Sequence, residues 1–198
     1  MSRRMVLSGV LVVLISALTV MPAHAKPLSP NYATLKLGGY FPQHSDLDGF
    51  DSGFNGEISL GHIVAPGFAV EGGIGYFETK GDFSSPLVSG SEKFKVMPLT
   101  LTLKGQTFFQ QFEPYAGIGI GAYFIKDEIS GTVLGFSGSE SENDTKIGFH
   151  IVLGGNYNVT RQLFLGVEGK YLWVKTDTFG VDVRLDGIIL TGNVGVRF

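Results

Sequence analysis

The sequence predicts an all-β protein, an eight-stranded antiparallel up-and-down transmembrane β-barrel. Three observations support this fold class. Apolar residues recur at every second position over eight segments of the chain, which is the period of a β-strand. The connections between these segments alternate between short and long. The chain also contains 29 glycines among its 198 residues, roughly twice the average usage of about 7%.

The first 25 residues have the pattern of a secretory signal peptide. Two arginines precede an apolar run over 5–20, and Ala23 and Ala25 supply the small residues of a cleavage site. The run is shorter than the roughly 20 residues that a membrane-spanning helix needs, which argues against the alternative, an uncleaved anchor. We therefore expect cleavage after Ala25 and a barrel domain over 26–198.

Eight later segments alternate in polarity. In the last one, apolar Leu190 and Val194 alternate with Thr191 and Asn193, so the two faces of the strand meet different environments. In chain order the segments are 34–41, 57–60, 70–76, 97–104, 115–124, 146–157, 165–173 and 188–198.

The connections follow a fixed order of short and long. The short ones are 64–67, 105–112 and 158–163, and the long ones, rich in Ser, Gly, Asp and Glu, are 43–52, 81–91, 127–145 and 176–185. Short periplasmic turns and long extracellular loops are typical of bacterial outer-membrane barrels. This order predicts that both chain termini lie on the periplasmic side.

A soluble barrel of lipocalin type would alternate in the same way, so the two faces must be told apart. One face carries many glycines, among them Gly117, Gly119 and Gly121, which suit a crowded interior better than a solvated exterior. The apolar face has no charge in the middle of the segments, where a Lys or Arg would cost about 2 to 4 kcal/mol against lipid. The only tryptophan is Trp173, so the first strand lacks the Gly-x-Trp pattern of lipocalins.

Aromatic residues lie toward the ends of the apolar rows, where amphipathic rings settle at the lipid interface. They are Phe41, Tyr76, Phe124, Tyr157, Tyr171, Trp173 and Phe198. The alternative interpretation is ordinary strand propensity, since Tyr and Phe favour sheets in general.

These features together resemble the small eight-stranded outer-membrane β-barrel proteins of the OmpX, OmpW and OmpA-barrel type. The resemblance covers 31–198 and rests on the leader, the eight strands, the segments 98–104 and 114–123, and the ending at Phe198. In such proteins a terminal Phe on an alternating strand resembles the signal that the barrel-assembly machinery reads. The resemblance therefore implies assembly by that machinery and an integral position in the outer membrane.

The polar face of the predicted barrel carries charges. An eight-stranded barrel is just wide enough to be filled by side chains, and buried charges persist when they are paired. We therefore expect a salt-bridge network that plugs the lumen, and the alternative is a gated ion path through the same charges. The inward set is Lys36, Glu57, Glu71, Lys104, Glu168, Lys170 and Arg197, with a sum of +1.

The long connections, counted over 46–186, carry fourteen acidic and seven basic residues. Such an excess of acidic residues at the outer rim of the barrel is expected for solvent-exposed loops. A sharper hypothesis is that the rim shares divalent cations with lipopolysaccharide phosphates, because hard cations prefer oxygen ligands. Asp46, Asp48 and Asp51 hint at a calcium loop with Glu57 at the twelfth place, but the glycine stands at the fourth position instead of the sixth.

Enzyme chemistry has weak support in this chain. The absence of cysteine excludes thiol catalysis, disulfides and zinc ribbons. Lipid A deacylases place a serine two residues after the histidine, whereas Val152 follows His150 at that distance. A palmitoyltransferase-like set of His44, Asp82 and Ser84 at the outer rim is the remaining option. That family begins with an amphipathic helix, for which 26–31, with Pro27 and Pro30, is a poor start. We therefore expect no enzyme and no cofactor.

We predict a monomer with a structural or surface-interacting role, whose partners are outer-membrane lipids and lipopolysaccharide. The net charge of −3 excludes a nucleic-acid footprint. The alternative function is a conduit for small, including apolar, solutes. Leu134 and Phe136 in the third long connection are then the candidate entrance.

Overall fold

The computed structural model describes residues 29–43, 50–85, 88–133, 136–178 and 181–198. The predicted leader over 1–25 lies outside the described residues. No helix in this described part of the chain is long and apolar enough to cross a membrane.

The described chain is built from strands. They are β1 (Asn31–Pro42), β2 (Phe50–Asp51), β3 (Gly53–Ala65), β4 (Phe68–Ser85), β5 (Val88–Gln106), β6 (Phe112–Val133), β7 (Phe136–Asn158), β8 (Leu163–Trp173), β9 (Lys175–Thr178), β10 (Val181–Arg184) and β11 (Gly187–Arg197). The order β3-β1-β11-β8-β7-β6-β5 is closed by the pairing of β4 with both β3 and β5. Every pairing is antiparallel, β2 adds to β4, and β9 and β10 form a separate hairpin. The predicted closed eight-stranded barrel is confirmed.

The two faces of each strand meet different surroundings, as the alternation predicts. On the outward face Ile118 is 65% exposed and Val167 is 67% exposed, while inward-facing Lys36 is 2% exposed. Outward apolar residues are stable only in lipid, because a soluble protein would bury them. The strand polarity is therefore that of a membrane barrel, with the charged face inside.

In the described residues, three of the long connections predicted as loops contain paired strands: 176–185 forms most of the β9–β10 hairpin, and the other two extend strands of the barrel. The segments 81–91 and 127–145 were predicted to be loops, but β4 pairs with β5 up to Ser85 and Val88, and β6 pairs with β7 up to Val133 and Phe136. Their high content of polar residues suggested loops. Strands that rise beyond the lipid have water on their outer face and therefore carry polar residues there.

The alternation changes phase where these strands leave the lipid. In β5, Leu99 and Leu101 point outward and are 55% exposed, whereas Phe94 and Val96 point inward and are at most 1% exposed. Toward the extracellular end of β5, the apolar residues thus change from odd-numbered positions, which end at Met97, to even-numbered positions, which begin at Val96. We call this change the phase reversal. β6 shows the same change between its outward isoleucines and the buried side chains that follow them.

The barrel interior contains an apolar cluster, which the sequence analysis did not expect in a lumen of glycines and ions. Its members lie near the extracellular ends of the strands and are 0–4% exposed; this outer apolar cluster consists of Tyr40, Phe77, Phe94, Val96, Tyr123, Ile125, Leu172, Val174, Leu185 and Ile189. Tyr40 donates a hydrogen bond to the Leu185 carbonyl oxygen at 3.0 Å. A smaller cluster of Tyr32, Ala69 and Phe164 lies near the periplasmic turns.

Inward-facing glycines make room for rings on neighbouring strands. A Cβ atom at Gly119 would collide with the His150 imidazole and would lie 2.5 Å from the Leu101 carbonyl oxygen. A Cβ atom at Gly154 would lie 2.5 Å from the Tyr115 hydroxyl oxygen. Both separations are far inside van der Waals contact, so these positions admit glycine alone without a shift of the neighbouring strand.

Candidate functional site

A layer of six charged residues crosses the middle of the barrel interior. They come from five strands and are at most 6% exposed; this central charge layer consists of Lys36, Glu57, Glu71, Lys104, Glu168 and Lys170. Each occupies an inward position of its strand because the side-chain period is two. Three lysines and three glutamates make the layer electrically neutral.

Lys36 lies at the centre of this layer. Its Nζ is 2.8 Å from Glu57 Oε1, 2.8 Å from Glu71 Oε1 and 3.0 Å from Glu168 Oε1. An ammonium group has three protons to donate, so three carboxylates match its capacity. One side chain of β1 therefore connects β3, β4 and β8 through the lumen.

The other two lysines occupy the remaining carboxylate oxygens. Lys104 Nζ is 2.8 Å from Glu71 Oε2 and 3.0 Å from Glu168 Oε2, and Lys170 Nζ is 2.5 Å from Glu57 Oε2. Each of the six carboxylate oxygens of the layer thus lies within 3.0 Å of a lysine nitrogen.

Two tyrosines complete the layer on its periplasmic side. Tyr32 donates to Glu71 Oε2 at 3.0 Å, and Tyr115 donates to Glu168 Oε2 at 2.9 Å. Lys104 Nζ also lies 4.5 Å from the centre of the Tyr115 ring, a cation–π distance. Such satisfied networks are rigid, because every member has a defined partner.

Arg197 is not part of the central charge layer. Its guanidinium pairs with Glu113 Oε2 at 2.5 Å, donates to Asn158 Oδ1 and lies 4.6 Å from the centre of the Phe164 ring. Sequence reasoning missed Glu113, although the inward row of β6 extended two residues before Tyr115 would have found it. With Glu113 included, the expected sum of +1 becomes zero. We call this contact the periplasmic ion pair.

A small polar cavity lies between the central charge layer and the periplasmic ion pair. Its volume is about 10 Å³, and its lining includes Lys36, Glu71, Lys104, Gln106, Glu113 and Arg197. This volume is close to the least that holds one water molecule. The buried Gln106 Nε2 has no protein partner among the described groups, so a water molecule there would satisfy it.

The two histidines that the structure describes occupy different settings. His150 lies inside the barrel with Nε2 2.8 Å from Thr102 Oγ1, and His62 lies at a strand end with Nδ1 2.7 Å from Asn31 Oδ1. His24 and His44 lie outside the described residues. No group of three or more His, Cys, Asp or Glu side chains within the described chain is placed to hold a metal ion.

Several predicted features of the outer rim fall on residues that the structure does not describe in full. Leu134 and the hinted calcium residues Asp46 and Asp48 lie outside the described residues, and for Phe136 only the backbone, at the start of β7, is described. Asp127, counted among the acidic loop residues, is instead buried inside the extended barrel at 3% exposure. It faces inward because strand β6 continues past the lipid.

Phe198 directly follows the last strand, β11, and continues its outward row. Its side chain is 62% exposed, and its backbone N–H donates to the Asn31 carbonyl oxygen at 3.0 Å. The outward aromatics Phe124, Tyr157 and Trp173 are also exposed. Trp173 packs against Tyr171 with ring centres 4.6 Å apart.

Solved structures with the same fold come from bacterial outer membranes. The chain resembles the outer membrane protein OprG from Pseudomonas aeruginosa, with a TM-score of 0.66 and 17% identity over 86% of this chain and 96% of that one. It also resembles Neisserial surface protein A, with a TM-score of 0.59 and 19% identity over 86% and 98%. The outer membrane protease OmpT from Escherichia coli follows, with a TM-score of 0.51 and 10% identity over 89% and 99%. These identities support a common fold and nothing finer.

Comparison with curated proteins gives no match. The family model described as outer membrane protein beta-barrel domain matches residues 10–198. The closed barrel, its lipid-facing exterior and this match agree. The chain belongs to the outer membrane protein β-barrel family and is a protein of the bacterial outer membrane.

Proposed function

We propose that this protein is a structural or surface-interacting barrel whose lumen is plugged. The observation that carries the proposal is the central charge layer, in which all six carboxylate oxygens lie within 3.0 Å of a lysine nitrogen. An ion that crosses the barrel would have to displace these pairs. Breaking a buried pair costs about 3 to 5 kcal/mol, which opposes steady conduction.

Two further barriers support the plug. The outer apolar cluster packs above the charge layer with exposures of 0–4%, and hydrated ions are strongly disfavoured in such surroundings. The periplasmic ion pair lies below it. A permeating solute would therefore meet an apolar barrier and two ionic barriers in series.

Single-channel recording in planar bilayers tests the plug. We expect no steady, large openings from the wild-type protein. The Lys36→Ala/Lys104→Ala double variant leaves one lysine against three glutamates, and we expect more frequent, cation-selective openings from it. Lys175→Ala, at an exposed strand end, is the control and should stay silent. Steady, large openings from the wild type would contradict the proposal.

The alternative role as a conduit for small apolar solutes has its own test. Replacing Leu134 and Phe136 with serine should leave uptake of an apolar solute unchanged if the protein is a surface-interacting barrel. A loss of uptake would favour the conduit. The tight packing of the outer apolar cluster supports the surface role.

We infer that the role is not catalytic. Ile151 and Val152 follow His150, so no serine nucleophile stands at the deacylase spacing. The relative OmpT is a protease, but at 10% identity it is similar in fold alone. Mass spectra of lipid A from cells with and without the protein should be identical, and a new acylation pattern would contradict the inference.

We also propose a monomer that is exported with a cleaved leader and inserted by the barrel-assembly machinery, with lipopolysaccharide as its neighbour. The outward-facing Phe198 at the end of β11 supports an assembly signal, because a partner can reach it. Mass measurement of the purified protein tests the leader, and a chain that begins at Lys26 is the expected result.

A further inference from the structure

A buried glutamine lies between the two ion networks of the barrel interior. Gln106 stands one inward position from Lys104 on β5, on its periplasmic side. In the register it pairs with Tyr115, which is one inward position from Glu113 on β6. Its side chain is 6% exposed and lines the small polar cavity between these networks. Gln106 is therefore placed between the central charge layer and the periplasmic ion pair.

The side-chain nitrogen of Gln106 is a buried donor that has no protein partner among the described groups. An amide nitrogen carries two protons to donate, and native proteins rarely leave such a buried group unsatisfied. Asn193, a buried amide that also lines the cavity, donates to the Tyr115 hydroxyl oxygen at 3.4 Å. Of these two amides, Gln106 alone needs an acceptor that the described protein groups do not supply.

Two cations that line the cavity also have protons left to donate. Lys104 donates to Glu71 at 2.8 Å and to Glu168 at 3.0 Å, so one of its three ammonium protons has no oxygen partner among the described groups. The Arg197 guanidinium has five N–H groups and donates to one carboxylate and one amide oxygen. The cavity is thus rich in donors, and its ligand must offer an acceptor atom.

Volume and charge restrict this ligand to water. The cavity measures about 10 Å³, and one buried water molecule needs roughly 10 to 15 Å³, so an organic molecule or a hydrated ion does not fit. The charges of the central layer cancel, and Arg197 pairs with Glu113. A bare anion would therefore add a buried charge without compensation. Water adds no charge, and it can donate to the carboxylates of Glu71 and Glu113, which line the cavity.

We propose that one water molecule is bound in this cavity as a permanent part of the plug. It accepts hydrogen bonds from Gln106 Nε2 and Lys104 Nζ and donates to Glu113, so it joins the central charge layer to the periplasmic ion pair. The inference deepens the plugged lumen proposed above and rests on it. Because a bridging water is nearly as favourable as a direct hydrogen bond, the two ionic barriers form a single network.

Relaxation dispersion of water oxygen nuclei counts the water molecules that stay buried in a protein, and it is applied to the folded barrel in lipid nanodiscs. Gln106→Met keeps the size of the side chain and removes the donor. Thr100→Val is the matched control, because Thr100 is also buried on β5 but does not line the cavity. We expect Gln106→Met to lose one long-lived water relative to the wild type and Thr100→Val to lose none. Heat-dependent gel mobility verifies that each variant is folded.

Magnetisation transfer from water to side-chain amide protons locates the bound water. Asn193 is the internal control, because its contact with the Tyr115 hydroxyl reports any signal that exchanging hydroxyl protons relay. We expect direct transfer to Gln106 and relayed transfer alone at Asn193. The Gln106 amide resonances should stay in place when chloride replaces gluconate at constant ionic strength.

A double-mutant cycle between Lys104→Met and Arg197→Gln tests the bridge, since each substitution removes the cation of one network. The coupling is expressed as a ratio of unfolding equilibrium constants in urea. We expect it to be at least about fivefold smaller in the Gln106→Met background than in the wild-type background. An unchanged coupling would show that no water joins the two networks.

Three other results would overturn the proposal. They are equal water counts in the wild type and Gln106→Met, an equal loss in Thr100→Val, and equal transfer at the two amides. A chloride-dependent shift of Gln106 would also overturn it, because the cavity would then hold an anion. Each of these results leaves the plug intact if the wild type does not conduct, whereas steady openings of the wild type would overturn the plug and this proposal with it.

Discussion

The ion pair of Lys170 and Glu57 in the central charge layer allows a quantitative prediction of stability. Lys170 Nζ lies 2.5 Å from Glu57 Oε2, and the two side chains are 6% and 5% exposed. Lys170→Met leaves two lysines against three glutamates, and Glu57→Gln leaves three against two. In both variants one charge stays buried without compensation, which costs about 3 to 5 kcal/mol.

The double variant Lys170→Met/Glu57→Gln is neutral again. Lys36 and Lys104 keep their contacts with Glu71 and Glu168, so the remainder of the layer is intact. We expect the double variant to be destabilised by less than the sum of the two single effects, with a coupling energy of about 1 to 3 kcal/mol.

Urea unfolding in lipid vesicles measures these free energies, with fluorescence of Trp173, the only tryptophan, as the probe. Lys175→Met, at an exposed position, is the surface control and should change the free energy of unfolding by less than about 0.5 kcal/mol. Additive effects in the double variant, or single effects as small as that of the control, would refute the reasoning.

Three further predictions use the same unfolding assay. Gly119→Ala should destabilise the barrel by about 1 to 3 kcal/mol, because the added Cβ would meet the His150 ring and a backbone carbonyl. Gly192→Ala is the control, since Gly192 has open space around it, and it should change stability by less than about 0.5 kcal/mol. Equal effects of the two substitutions would show that the interior is not crowded. Arg197→Gln should lower the free energy of unfolding by about 3 kcal/mol, because Glu113 is 2% exposed and loses its cation. Adding Glu113→Gln should recover part of this loss of stability. If nothing is recovered, the loss does not come from the ion pair. Deleting Phe198, which is 62% exposed, should leave stability after refolding within about 0.5 kcal/mol and reduce the amount inserted in cells, whereas normal insertion would argue against an assembly signal.

The alternation of residues predicted the barrel and its inward charges because side-chain direction is a local property of a strand. The partners of those charges depend on register and closure, which are set by the whole sheet. Lys36 and Glu168 are 132 positions apart in the chain, and no local pattern links them. Arg197 shows the same limit, since its inward direction was predicted but its partner Glu113, on a strand across the lumen, was not.

The extended strands were mistaken for loops because their polar composition was given more weight than their alternation of apolar and polar residues. Over 91–97 the sequence alternates between buried Phe94 and Val96 and polar Lys93 and Lys95, which is a strand with water outside and an apolar cluster inside. The period of two continues while the apolar residues change parity. Polar content alone therefore cannot separate a loop from a strand that has left the lipid.

The phase reversal also fixes how deep the barrel rests in the bilayer. If the barrel sank by one residue pair, Lys95 and Lys126 would enter hydrocarbon, and if it rose, the leucines of β5 would face water. Both displacements raise the free energy. The depth at which the barrel lies in the membrane is therefore an energy minimum, and it is set by the outward residues of the barrel itself.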